Sequence, residues 1–173
     1  MSPEALEALR EAGRIAAAAR TWGASHIVAG ARLREVCEGV EHEIQRRGGG
    51  LAFPTQSSRN EIAAHYCASP EDDTVYADGD LAKLDIGVHV DGWVVDTATT
   101  VSVGDRAELR PILRAAQAAL EAAITAVSAG ISVRRISATS PRPSVANGSM
   151  ATTLPAHKRL IESSATLGIG GGP

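Results

Sequence analysis

The chain has 173 residues, 44% of them hydrophobic, which is enough for one domain with a real core; its five aromatic residues leave that core to Leu, Ile, Val and Ala. A net charge of -3 with no basic run gives no footprint for nucleic acid or a membrane surface, and no apolar stretch is long enough to span a bilayer. The polar, helix-forming Ser2, Pro3 and Glu4 are unlike a signal peptide, so a cytoplasmic location is expected, with Cys37 and Cys67 as free thiols.

In chain order, an Ala-rich helix is predicted from about Pro3 to Ala24, with Ser2 as its N-cap and Pro3 at the first helical position. Leu33, Val36, Cys37, Val40 and Ile44 share one face of a second helix, which Gly48, Gly49 and Gly50 stop. Strands are predicted over about Leu51 to Val103, interrupted by a loop from Ala68 to Asp73, which puts His65 in a strand. A third helix follows, with Leu109, Leu113, Ala116, Leu120, Ile124 and Val127 as its apolar stripe and Pro111 in its first turn. Helices on one face of an antiparallel sheet give an α+β fold. No internal repeat is visible.

The stretch from Leu81 to Val101 alternates like two strands around Asp91 and Gly92, a dipeptide that accepts positive φ at both centres of a two-residue hairpin. If Val90 pairs with Trp93, then Gly87 lies opposite Asp96 and Asp85 opposite Ala98. Asp85 and Asp96 then share a face as diagonal neighbours, Cβ atoms roughly 7 Å apart or less, and Gly87 leaves an empty space beside Asp96 for an ion. Leu84, Ile86, Val88, Val90, Trp93, Val95, Thr97 and Thr99 form the opposite, helix-packing face. A solvated hairpin face is the ordinary explanation for such aspartates. Against it, Asp is depleted from strands, and Gly87, Val94 and Ala98 suit a cavity wall better than a wet surface. Carboxylates placed there must be ion-paired, protonated or metal-bound, and oxygen-only ligands favour ions such as Mn, Mg, Co, Fe or Zn.

The sequence holds, in order, Ala52-Phe53-Pro54, Asn60-Glu61-Ile62-Ala63-Ala64-His65-Tyr66, Asp72-Asp73, Lys83-Leu84-Asp85-Ile86-Gly87-Val88-His89-Val90-Asp91-Gly92 and Asp96-Thr97-Ala98. With these motifs it resembles the type II methionine aminopeptidases of archaea and eukaryotes over about residues 5 to 136, and the archaeal form in having almost no N-terminal extension. The resemblance implies an incomplete pita-bread (creatinase/aminopeptidase) fold. It implies removal of the initiator methionine from nascent proteins, whose N-terminal methionyl peptides would be the partners, with two divalent metal ions (Co, Mn, Zn, Fe or Ni). By the same resemblance, Asp85 and Asp96 are the first two of five metal ligands, Asp96 bridging both ions, and His65 lines the substrate site near the scissile peptide. Taken alone, His65 would read as a packed or surface histidine. His89, beside the turn, is given no role.

Residues 1–136 are therefore expected to be the N-terminal half of a catalytic domain, and 137–173 a divergent, Ser-, Pro-, Gly- and Thr-rich tail without order. In the family, the missing part supplies a histidine and two glutamates as ligands and a second active-site histidine. His157, in Ala156-His157-Lys158, is a candidate for the histidine, although its neighbours do not fit. The expectation is an inactive fragment, out of frame after about Ala138. The alternative is a non-catalytic pita-bread module that binds peptides or partners, for which carboxylates on that face have no use.

Overall fold

The first helix, α1 (Pro3–His26), starts where its capping residues dictate. The Ser2 hydroxyl accepts from Ala5 N at 3.2 Å, and Pro3 occupies the first turn, where a missing N–H costs nothing. This computed structural model describes residues 1–104 and 106–138. The buried face of α1 is built from Ile15 and the small residues Ala12, Ala16, Ala19 and Gly23, which let it lie close on the layer beneath. At Gly23 an added Cβ would collide with Leu84 and Val40. In α2 (Leu33–Arg46), Leu33, Val36, Cys37, Val40 and Ile44 are all buried, as their spacing predicts. That helix stops at Gly48, whose φ of 88° few other residues adopt.

Three antiparallel strands follow, β1 (Gly50–Arg59), β2 (Leu81–Val90) and β3 (Trp93–Ser102), in the order β1-β2-β3. Asp91 (φ 50°) and Gly92 (φ 80°) make the two-residue hairpin, and it pairs Val90 with Trp93, Gly87 with Asp96 and Asp85 with Ala98. This is the predicted register. Leu84, Ile86 and Val88 are fully buried in one cluster with Ile15, Ala19, Val40 and Ile44, so α1 and α2 cover that face of the sheet. Burial of this kind is worth roughly 1.5–3 kcal/mol for each side chain, and it fixes which way Asp85 and Asp96 point.

Two predicted elements differ. The β1–β2 connection covers 60–80, longer than the expected Ala68–Asp73 loop, and it takes His65 out of a strand. Asn60 (φ 52°) and His65 (φ 66°) adopt left-handed backbone, which interrupts an extended chain. Side chains hold this loop where a ladder would not. The buried Asp80 carboxylate accepts from Asn60 Nδ2 (2.8 Å), Ala77 N (2.9 Å) and Arg59 Nη1 (3.0 Å), and the Tyr66 hydroxyl donates to Asp72 (2.7 Å). Tyr76, also buried, shares a 2.7 Å hydrogen bond with Ser57 of β1.

In α3 (Arg110–Ala126), Pro111 falls in the first turn as expected, but the predicted stripe is covered only in part, with Leu109, Leu113, Ala116 and Leu120 half-buried. Ala119 and Ala123 are buried, whereas Ile124 and Val127 are 60% and 62% exposed. Periodicity shows which residues share a face, not whether a neighbour is present to cover it. α3 meets the short α4 (Val133–Ala138) more than any strand, so the layer over the sheet is α1 and α2. Of the predicted tail, Ser137 and Ala138 belong to α4, and 139–173, His157 among them, lie outside the described residues. No described helix is long and apolar enough to cross a membrane.

Candidate metal centre

Asp85 and Asp96 project from the sheet face opposite α1 and α2, as the hairpin register requires. On its other side β2 pairs with β1, Phe53 opposite Gly87 and Gln56 opposite Asp85, with irregularities on either side of Phe53. Those bulges change what lies beside the carboxylates. Simple alternation from Leu51, which pairs with core-facing Val88, would turn Phe53 toward the helices; the bulge turns it to the carboxylate face. A Cβ on Gly87 would collide with the Phe53 ring. The space expected beside Asp96 for an ion is therefore filled by an aromatic ring, and the missing Gly87 side chain is what admits it.

The two carboxyl groups are close enough to interact. Burial pushes Asp96 up to about 6, and the neighbouring Asp85 charge and a hydrogen bond to Asp85 push the same way. Burial also raises Asp85, opposed by the hydrogen bond from Asp96 and by the charge of His65. Burial, with the neighbouring charge acting on Asp96, thus keeps a proton on the pair to higher pH than on an ordinary carboxylate. Asp85 Oδ1 is buried and has no hydrogen-bond partner. An acceptor in that position calls for a donor or a cation.

His65 comes to the carboxylate side of the sheet on the loop, exposed to solvent, near enough for its charge to act on Asp85. His89 shares the face, with its ring packed on Gly50 and a buried Nδ1 lacking a partner; it remains without an assigned role. Two convergent carboxylates fit a hard or borderline divalent cation as part of a ligand set. Among the described residues, no group of three or more His, Cys, Asp or Glu is arranged to hold a metal. Phe53 and Gln56 were invisible as neighbours of this pair in the sequence, since only the bulged β1–β2 register puts them there.

The profile of metallopeptidase family M24 matches residues 7–154. The methionine aminopeptidase of Archaeoglobus fulgidus is 43% identical over 136 residues, 79% of this chain and 46% of that protein. That of Thermococcus kodakarensis is 47% identical over 130 residues, 75% of this chain and 43% of its own length. The chain spans less than half the length of these curated relatives. The crystal structure of methionine aminopeptidase from Thermotoga maritima superposes with a TM-score of 0.73 at 26% identity, covering 80% of this chain and 59% of that one. The three strands and their helical layer are accordingly part of a pita-bread fold. With the profile matched over most of its length, the chain belongs to metallopeptidase family M24, whose members depend on divalent metal.

Proposed function

We propose that this chain contributes Asp85 and Asp96 as ligands to a site that removes the N-terminal methionine from nascent proteins, with two divalent ions drawn from Co, Mn, Zn, Fe and Ni. Asp85 and Asp96 would hold the metal, and His65 would face the substrate. The observation that carries the proposal is the half-buried carboxyl pair with the unpartnered Asp85 Oδ1. Relatives named methionine aminopeptidase support the substrate class. The proposal includes a cytoplasmic location, where nascent chains emerge.

Bound divalent cations supply Lewis-acid activation of water and of the scissile carbonyl at neutral pH. The protein residues do the rest. Asp85 and Asp96 would give up their shared proton and hold the cations through their carboxylates. The helix-backed strands keep that pair from reorienting, since Leu84, Ile86 and Val88 are locked in the core. His65, on an exposed loop tied down through Asp80 and Tyr66, is placed to hydrogen-bond the substrate peptide or the charge that develops on it. Two carboxylates do not complete a binuclear set, so the further ligands come from beyond the described residues.

The test uses the 173-residue chain, its Asp96→Asn variant and Mn²⁺ or Co²⁺. Metal should raise the wild-type Tm and leave the variant unchanged; no response of the wild type to millimolar-range metal would end the proposal. Methionine release from a Met-Ala-Ser peptide is measured alongside. Metal uptake without turnover is the expected result, and metal-dependent turnover would place the remaining ligands within this chain.

A further inference from the structure

We propose that Gln56 is a positioning residue for Asp85, its side-chain amide donating to Asp85 Oδ1 and holding that carboxylate in the orientation a cation needs. The inference rests on the metal-site proposal for Asp85 and adds a residue to it. Gln56 of β1 and Asp85 of β2 are direct cross-strand partners. Their side chains stand on one face, with Cβ atoms about 4.5–5.5 Å apart. Each carries a buried oxygen with no hydrogen-bond partner, Gln56 Oε1 and Asp85 Oδ1.

Unpartnered acceptors on adjacent side chains are a mismatch that the amide itself can remove. The two ends of a glutamine amide are nearly equal in size and differ in chemistry, one accepting and the other donating twice. Turned by half a revolution about its last bond, Gln56 presents N–H where its buried oxygen lies and gives Asp85 a donor. No other side chain in direct register can do this. Ala98, the partner of Asp85 on β3, has no polar side-chain atom.

The chemistry of the donor matters. A Lys or Arg at this place would neutralise Asp85 and compete with a cation, whereas a neutral amide fixes the carboxylate and leaves its charge available. Removal of such an outer partner typically weakens metal binding 10–100-fold. The β1 bulges next to Phe53 shape this arrangement, since they restore the alternation that brings Gln56 to the carboxylate side.

Two measurements on the full chain test it. In the metal-free wild type, NMR follows the Gln56 side-chain amide protons, assigned by their loss in Gln56→Leu. One proton should exchange slowly with solvent and shift in Asp85→Ala. Exchange of both at the rate of a free glutamine amide would overturn the proposal. Second, Mn²⁺ affinity is measured for wild type, Gln56→Leu and Gln56→Glu. Gln56→Leu, close in volume but without a donor, should bind about 10–100-fold more weakly while its metal-free melting curve stays cooperative. Equal affinity of wild type and Gln56→Leu would refute the positioning role. Gln56→Glu, which keeps shape but supplies acceptors only, should lose the slowly exchanging proton; retention of such a proton would assign the signal elsewhere and overturn the inference. If the wild type binds no Mn²⁺, the metal-site proposal fails by itself, and the amide exchange still decides the hydrogen bond.

Discussion

The two faces of one three-stranded sheet have opposite chemistry. Toward α1 and α2, alternate residues of β2 from Ala82 to Val88 are apolar and wholly buried, and Leu84, Ile86 and Val88 are completed by Ile15, Val40 and Ile44. Toward the other side, Asp85, Gln56 and His89 each keep a buried polar atom without a partner. The first face is finished by packing within the described residues. The second is a surface whose polar groups are set up for something further, and the same backbone alternation produces both.

The largest effect expected from breaking this contrast is on the finished face. Ile86→Ala should cost about 2–5 kcal/mol of stability by chemical denaturation, whereas Asp85→Asn, one residue away, should leave the metal-free chain as stable or more so. A comparable loss in both would erase the distinction between the faces.

Next comes metal. At a concentration one hundred times its Kd, a divalent ion should stabilise the wild type by about 2.7 kcal/mol, and the gain should vanish in Asp85→Asn and Asp96→Asn. Thermal melts with and without Mn²⁺ read this directly, and a gain that persists in both variants would move the ion elsewhere.

A smaller effect appears with pH. Asp96 in the folded chain titrates at about 6, above its ordinary 3.8, so its contribution to stability is present below about pH 4 and is lost as pH rises through 6 in the absence of metal. Glu43 behaves in the opposite sense. Hydrogen bonds from Arg46 and Arg47 hold it down at about 2, so its contribution is present above its ordinary 4.5 and lost as pH falls toward 2. Metal-free melts between pH 4 and 7 should therefore show a downward trend in wild type that flattens in Asp96→Asn. An identical slope in the two would rule out Asp96 as its source.

The smallest expected change lies far from either face. Ser2→Ala removes the cap that accepts from Ala5 N and should cost about 1 kcal/mol, visible as a modest fall in helix stability. If it also altered Mn²⁺ affinity, α1 would be coupled to the carboxylate face in a way the packing does not suggest.

Local signals carried much of this fold. Ser2 and Pro3 marked the start of α1, the spacing of Val36, Val40 and Ile44 marked the face of α2, and Asp91-Gly92 set the register that brings Asp85 and Asp96 together. His65 was legible through its motif, not through its backbone, since a left-handed φ has no periodic signature. The apolar stripe of α3 was real as a pattern and misleading as packing, because Ile124 and Val127 have no described neighbour to cover them.

The sequence by itself determined the hairpin, the shared face of the two aspartates and the family, because each depends on residues close in the chain or on ordered motifs. Only the tertiary structure decided what stands next to the carboxylates. Bulges in β1 swing Phe53 over Gly87 and set Gln56 beside Asp85, and a one-residue irregularity reverses which side of a sheet a side chain faces without leaving any mark in the hydrophobic pattern.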